Sequence, residues 1–447
     1  AKILRNTVTG TGSGKGIQCY GHITGAEVRN NTLSKLEIGY GQRESLSGSM
    51  AVPAGNRFLD NSVTECAAGK AAFTDGTDIV DGSGNWWGTN DGSLLTAAIG
   101  ANVDYTPWLN VGTDTDTVTP GFQGDFSYLN VDVLSPQSQS TGRVQEGVDL
   151  ATGGATPVVD VKAGSYPEQV SIGKSLLLKG AGAGATTIAM PPVAGTDPVT
   201  LSQNVVTVGG LGVNTEVTAL TIDGLYTGPD DCGFKRYGIF AFGGAHLNLH
   251  DATVQNVRRE PLSGCQWGVD VRVGSTLAGP ATATIVHNTI ASYQKVGVVV
   301  SGAGSSASIT GNNRIRGVGA TTAIAGNGIE IVDGATGTVD GNTISDNLCN
   351  ASGCGPDPIS EWAAAGILLI DTGAGVTVSN NTVTNNDLGI YTSAPGTAIS
   401  SNTVSGNRYQ GIFVDQGTTT LADNTVTGGD IGIVVVTFAP TAGFTPT

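Results

Sequence analysis

Groups that could do chemistry are thinly scattered along this chain of 447 residues, of which only 13% are charged. "HLNLH" sets His246, Asn248 and His250 on one strand face, a spacing that hints at a metal. Two imidazoles without a third ligand make a poor zinc site, and solvated surface histidine is the simpler reading. "TDGTDIVDGSG" gathers Asp75, Asp78 and Asp81. Calcium is the one ion such a turn invites, but the ligand order of an EF-hand or nonapeptide repeat is missing. An acidic turn, with no cofactor, is therefore expected. "GAGAG" from Gly180 has no following helix and no Lys-Ser/Thr pair to cradle phosphate. The Arg residues of "YGQRES", "RREPLSGCQWG" and "RIRG" read as salt-bridged loops, and Asn30, Asn350 and Asn380 head glycosylation sequons.

The six cysteines fit an oxidising compartment. Cys349 and Cys354 bracket a short loop, "CNASGC", and Cys232 and Cys265 lie about one repeat apart beside consecutive strands; both pairs are expected to be disulfides. Cys19 and Cys66 fall two repeats apart, roughly 10 Å at about 4.8 Å per layer, too far for easy bridging.

The elements that must position these groups come from a repeat. Aliphatic–x–x–Asn–Thr/Ser–aliphatic recurs at Asn6, Asn31, Asn61, Asn288, Asn342, Asn381, Asn402 and Asn424, with "TGNNRI" at Asn313 as a variant. The closer spacings are 21 to 30 residues and one is 39, a period that marks a solenoid. After each signature comes a second strand of the form Gly–aliphatic–x–aliphatic, as in "GIEIV", "GILLI" and "GIFVD". Alternation at period two turns one set of side chains inward. Each coil of about 25 residues thus holds short strands joined by turns, and each strand pairs with its equivalent in the next coil. The repeated Asn suits a bend, adopting left-handed geometry or bonding the backbone, and stacked copies would form an internal amide ladder.

These features resemble the right-handed parallel β-helix of the pectate-lyase-like superfamily. "GRVQEGVDLATGGATPVVDVKAGSYPEQVSIGKSLLLKGAGAGATTI" is similar to the entry of such proteins, where a short helix caps the solenoid; Val144 and Val148 share one helical face. The resemblance covers about 130 to the end and 1 to about 90. It implies an all-β solenoid fold but no single activity, because lyases, hydrolases, epimerases, phage spikes and adhesins share it. Repeat-containing bacterial surface proteins are the members closest in character.

A β-helix enzyme would place paired carboxylates, or carboxylates with a basic Arg or Lys, on an outward strand face. Two residues after each Gly come Phe240, Asp270, Val299, Glu330, Leu368, Tyr391, Phe413 and Val434. Four after come Phe242, Arg272, Ser301, Val332, Ile370, Ser393, Asp415 and Val436. Isolated charges in a mostly apolar column do not make a catalytic groove, and no catalytic residue is assigned. The column Leu368, Tyr391, Phe413 and Val434 fits a buried lateral contact, with another protomer or with an overlying loop. Stacking of Tyr391 and Phe413 on a neutral sugar is the alternative.

The formal charge of −16 repels nucleic acid and anionic lipid, and no apolar run reaches the roughly 20 residues that span a bilayer. The chain opens inside its own repeat, without an initiator Met, so processing or excision from a longer protein is expected. Residues 1–90 read as the last coils of a β-helix, ending in a cap at Trp86 and Trp87. Residues 91–130 read as a polar linker, and 131–447 as a new β-helix with a capping helix and an open far end. The fold is therefore split: the N-terminal segment supplies last coils and the C-terminal domain first coils. Tail joined to head continues the pattern, with a step of 29 from Asn424 to Asn6. The expected partner is another copy, stacked head to tail through Ala1, Ile3, Leu4, Asn6, Val8 and Ile17 against Asn424, Val426, Ile431, Ile433 and Val435, either noncovalently or as the next covalent repeat of a much longer surface protein. The function expected is that of a secreted building block of a filament, sheath or large surface protein. The alternative is a polysaccharide-binding or polysaccharide-degrading β-helix with carbohydrate as its partner.

Overall fold

The computed structural model describes residues 1–21, 23, 25–43, 57–76, 79–138, 140–229, 232–416 and 418–436. The chain divides into two compact units. The first comprises 1–166 with 176–181, and the second 167–175 with 182–447.

In the first unit the short strands stack in parallel, coil on coil. Lys2–Leu4, Glu27–Arg29 and Arg57–Leu59 form one face, Thr7–Thr9, Thr32–Ser34 and Ser62–Thr64 a second, and Lys15–Tyr20, Ile38–Arg43 and Ala72–Thr74 a third. The inward set (Val28, Leu33, Tyr40, Phe58, Val63) is fully buried. Helix α1, Gly92–Ala98, starts on the Asp91 carboxylate, which accepts from Ser93 N–H, and buries Leu95. Trp108–Leu109 then runs antiparallel to Tyr128–Val131, which begins a fresh parallel stack with Val158–Val161 and Leu176–Gly180. Helix α2, Arg143–Leu150, covers that start with buried Val144 and Val148, as the entry pattern implied.

The stretch expected as a polar linker, 91–130, is packed structure. Leu95, Tyr105, Trp108, Leu109 and Phe122 are buried in it, and its later part runs along the coil bends, where Asn30 Nδ2 donates to Phe122 O at 2.8 Å and Gly124 N–H to Asp60 Oδ1 at 2.7 Å. The Thr, Asp and Gly content concealed the buried apolar side chains that anchor it, Ile99, Val103 and Leu129 among them. Of the expected cap pair, Trp87 is 3% exposed, lies tilted against Phe58 at 5.8 Å and joins α1, Tyr105 and Trp108 in one cluster, while Trp86 is less buried.

The second unit repeats the architecture with longer strands. One sheet runs through Val170–Ile172, Ser202–Gly209, Lys235–Phe242, Val269–Val273, Val296–Ser301, Asn327–Val332, Ala365–Ile370, Leu388–Thr392, Gln410–Asp415 and Ile431–Val436. Its inward row, from Ile239 through Val271, Val298, Ile329, Ile367 and Ile390 to Ile412, is fully buried. The chain is an all-β, right-handed parallel β-helix protein in the described residues apart from its short helices.

The Asn residues form the expected amide ladder, with one refinement. The left-handed position is the residue before the Asn: Arg5, Asn30, Asp60, His287, Asn312, Asn380, Ser401 and Asp423 all have φ between 54° and 67°. The Asn itself bonds the backbone: Asn342 Nδ2 donates to Ile309 O at 2.8 Å in the coil before and to Asn381 Oδ1 at 3.1 Å in the coil after. Splitting the turn this way lets a buried amide be satisfied on both sides.

Candidate functional site

Both expected interface patches are sheet edges. In the second unit Thr419–Ala422, Thr425–Thr427 and Ile431–Val436 each pair on one side only among the described residues. Ile433 ends the inward row and is 47% exposed, whereas Ile412, its partner one coil back, is fully buried. Ile431 and Val435 are likewise 48% and 64% exposed. Val426 is half-buried. In the first unit the corresponding edge is Lys2–Leu4, Thr7–Thr9 and Lys15–Tyr20, paired among the described residues only with the coil after it. Leu4 is exposed, Ile3 and Val8 half-buried, and Ile17 already buried; Ala1 is exposed, its carbonyl accepting from Glu27 N–H. Residues 437–447, over which the tail-to-head continuation would run, lie outside the described residues.

Leu368, Tyr391, Phe413 and Val434 do share one register, and Tyr391 and Phe413 stack at 5.4 Å. They are not an exposed stripe: Tyr391 and Phe413 are buried in a cluster that includes Ala363, Ala365 and Tyr409. Of the two lateral contacts expected, the one within the chain is the one seen. Upstream, the outward column needs correction: Phe240 pairs with Arg272, and Arg272 with Val299. Asp270 is fully buried, its carboxyl pushed well up by burial, and accepts from Val257 N–H at 3.3 Å. The Gly268 of "GVDV" precedes an extra step, so counting two residues from it lands in the wrong row. Arg272 lies over the rings of Tyr237 and Phe240, at 5.3 and 5.5 Å from their centres.

His246 and His250 reach no metal cluster among the described residues. His250 sits between Glu216 at 3.0 Å and Asp251 at 2.8 Å, and His246 meets Thr282. Of the acidic turn, Asp75 pairs with Arg43 and Asp81 with Arg57, while Asp78 lies outside the described residues. Cys232–Cys265 and Cys349–Cys354 are disulfides, and Cys19 and Cys66 are free.

One feature the repeat did not reveal is a groove of about 710 Å³ lined by Gln266, Lys295, Asn327, Glu361, Trp362 and Leu368. Lys295 donates from Nζ to Ala325 O at 2.8 Å, and Asn327 Nδ2 donates to Glu330 at 2.7 Å. Burial pushes the Lys295 ammonium down and the Glu330 carboxyl up, while attraction between the two opposes both shifts. Trp362 is 67% exposed. Sequence signals existed: a lone Lys before "VGVVV" and a Trp in the loop that follows the Cys349–Cys354 disulfide.

The model of the family described as "Right handed beta helix region" matches residues 268–442. A search of curated proteins finds no match. Among solved structures, the chain is similar to the Dettilon tailspike protein at 13% identity and TM-score 0.40, covering 91% of this chain and 62% of that one. It is similar to the periplasmic alginate epimerase AlgG at 12% identity and TM-score 0.39, covering 69% and 72%. It is also similar to the A-module of Azotobacter vinelandii mannuronan C-5 epimerase AlgE4 at 15% identity and TM-score 0.36, covering 68% and 95%. Nothing about activity transfers at these identities.

Proposed function

We propose that this chain is a secreted structural protein, a β-helical building block of an extracellular filament, sheath or large surface protein. Its coils extend by stacking the edge that ends at Ile431–Val436 on the edge that begins at Lys2–Leu4 of another copy. The single observation that carries the reading is the aliphatic run IGIVVV on an edge unpaired among the described residues, with Ile431, Ile433 and Val435 about half exposed or more. An edge strand left alone in solution is normally blunted by charge, Pro or a bulge, and this one has none of them. Strand addition to such an edge is heterologous and open, so it builds a fibre rather than a ring. The coils of the first unit then serve as the last coils of the neighbour, and the cluster around Trp87 closes them. The disulfides suit an oxidising exterior.

The test is sedimentation and electron microscopy of the 447-residue chain across concentration. Long particles that vanish with Ile433→Asp support the reading; a monomer at every concentration overturns it. A second reading, carbohydrate contact, is favoured by the exposed Trp362 beside the Lys295 groove, since an aromatic face over polar groups suits a sugar ring. Saturable oligosaccharide binding lost in Trp362→Ala supports it.

A further inference from the structure

The amide ladder has a direction. At each step an Asn donates its backbone N–H and its Nδ2 to the Oδ1 of the next Asn along the chain. Asn6 gives to Asn31 at 2.8 and 2.9 Å, Asn31 to Asn61 at 2.9 and 2.9 Å, and Asn61 to Asn85 at 2.8 and 3.0 Å. In the second unit the same pair of bonds runs from Asn288 through Asn313, Asn342, Asn381 and Asn402 to Asn424.

A shorter ladder, Asn347 to Asn386 to Asn407, runs in the same sense, and the four ends of the two longer ladders differ in kind. Where the first ladder stops at Asn85, its Nδ2 is satisfied by Phe58 O, Gly82 O and Ser83 O. Where the second starts at Asn288, its Oδ1 accepts from Ala252 N–H at 3.0 Å. At those two ends the Asn85 Nδ2 and the Asn288 Oδ1 both have partners within the chain. Among the described residues, Asn6 Oδ1 accepts from no group, and the Asn424 backbone N–H, like that of Asn85, has no acceptor while Asn424 Nδ2 reaches Ile399 O at 2.8 Å. Asn31, Asn61, Asn313, Asn342, Asn381 and Asn402 are all 2% exposed or less, whereas Asn6 is exposed and Asn424 half-buried. One end lacks donors and the other lacks an acceptor.

The glycine row shows the same vacancy. A Cβ at Gly389 would meet Gly411 O and one at Gly411 would meet Gly432 O, but one at Gly432 would meet only its own coil, Val426, at 3.9 Å. A Cβ at Gly16, at the other edge, would meet Gly39 O, so the row runs in the same sense there.

On the stacking reading above, on which this inference rests, we propose that the ladder sets the register of the junction. Asn424 of one copy donates its N–H and Nδ2 to Oδ1 of Asn6 in a second copy, and Asn6 Nδ2 donates back to Leu421 O. That alignment lays Leu421 on Ile3, Thr425 on Thr7, Gly432 on Gly16 and Ile433 on Ile17. The donor direction permits this order alone, so growth is polar: two like ends meet acceptor to acceptor or donor to donor. The ladder buries its amides only when a neighbour is in place.

The test is oxidative crosslinking of the whole chain carrying Thr7→Cys and Thr425→Cys, both exposed positions. In the proposed register their Cα atoms lie about 5 Å apart, within disulfide reach. A pair at Thr9 and Thr425 lies roughly 8 Å apart and serves as the register control. Expected are covalent multimers for the first pair and none for the second or for the wild type. Asn424→Asp keeps the acceptor for Asn402 but sets oxygen against Asn6 Oδ1. It should raise the concentration needed for assembly by roughly tenfold or more, beyond a small fall in monomer melting from the lost bond to Ile399 O, which Asn424→Ala shares. Assembly with crosslinking at Thr9, or an unaffected Asn424→Asp, overturns the ladder junction while leaving stacking intact. A wild type that never assembles overturns both.

Discussion

Replacing an interior ladder residue, Asn342→Ala, has a cost that can be worked from its neighbours. The wild-type side chain makes five hydrogen bonds. Its Oδ1 accepts from Asn313 N–H at 3.3 Å and Nδ2 at 2.8 Å; its Nδ2 donates to Ile309 O, Asp340 O and Asn381 Oδ1 at 2.8, 3.2 and 3.1 Å. After truncation Asn313 Nδ2 still reaches Ile285 O and Thr310 O, and Asn381 Oδ1 still accepts from the backbone of residue 342. Asn313 N–H is stranded in a site closed to water, and Ile309 O loses its amide donor. At about 1–3 kcal/mol per stranded group, the loss is about 2–6 kcal/mol. Asn6→Ala, at an exposed position, should cost about 1 kcal/mol or less in the unassembled chain. Urea unfolding followed by far-ultraviolet circular dichroism compares the two. A loss below about 1 kcal/mol for Asn342→Ala, or equal losses at both sites, would refute the view that the ladder holds the coils together.

Glu146 on α2 gives a pH dependence with a definite sign. Burial, helped by the charges of Asp104 and Asp81, lifts its carboxyl from 4.5 to about 8, against weaker help from Ser83 and Arg57. The folded state therefore keeps a proton that the unfolded chain has released. That contribution is full below about pH 4.5 and is lost as pH rises through about 8, on the order of 5 kcal/mol. Glu146→Gln should flatten this part of the stability profile between pH 5 and 8.5, measured by denaturant midpoints; an unchanged slope would contradict it. Cys232–Cys265 spans 33 residues and Cys349–Cys354 spans 5, so the loop-closure model assigns them about 4 and about 2 kcal/mol. Cys232→Ser should accordingly lower the melting temperature more than Cys354→Ser, and the reverse order would count against it.

Much of the fold was legible because a solenoid repeats a local rule. Aliphatic alternation, the Asn signature and the Gly-led strand recur within each coil, and each states its own inward face without reference to distant residues. The two disulfides followed from the same counting. What stacks on what was less legible, because it depends on how many residues each intervening loop consumes. The segment from Glu260 to Gly268 absorbs two more than the count allowed, which puts Arg272 rather than Asp270 beside Phe240.

Loops also decide which outward residues meet water. The column of Tyr391 and Phe413 read as a contact with either another protomer or an overlying loop, and within the chain a cluster reaching Ala363 and Ala365 buries both rings. The same insertion, carrying Trp362, helps make the groove with Lys295. Local periodicity, then, is written in the chain itself, since it arises from the alternation of a strand and the turn preference of the residue before each Asn. Lateral neighbours, buried carboxyls such as Asp270 and Glu146, and the two unfinished ladder ends exist only once coils are stacked. Their environments are built by residues tens of positions away, and no local rule reports on those.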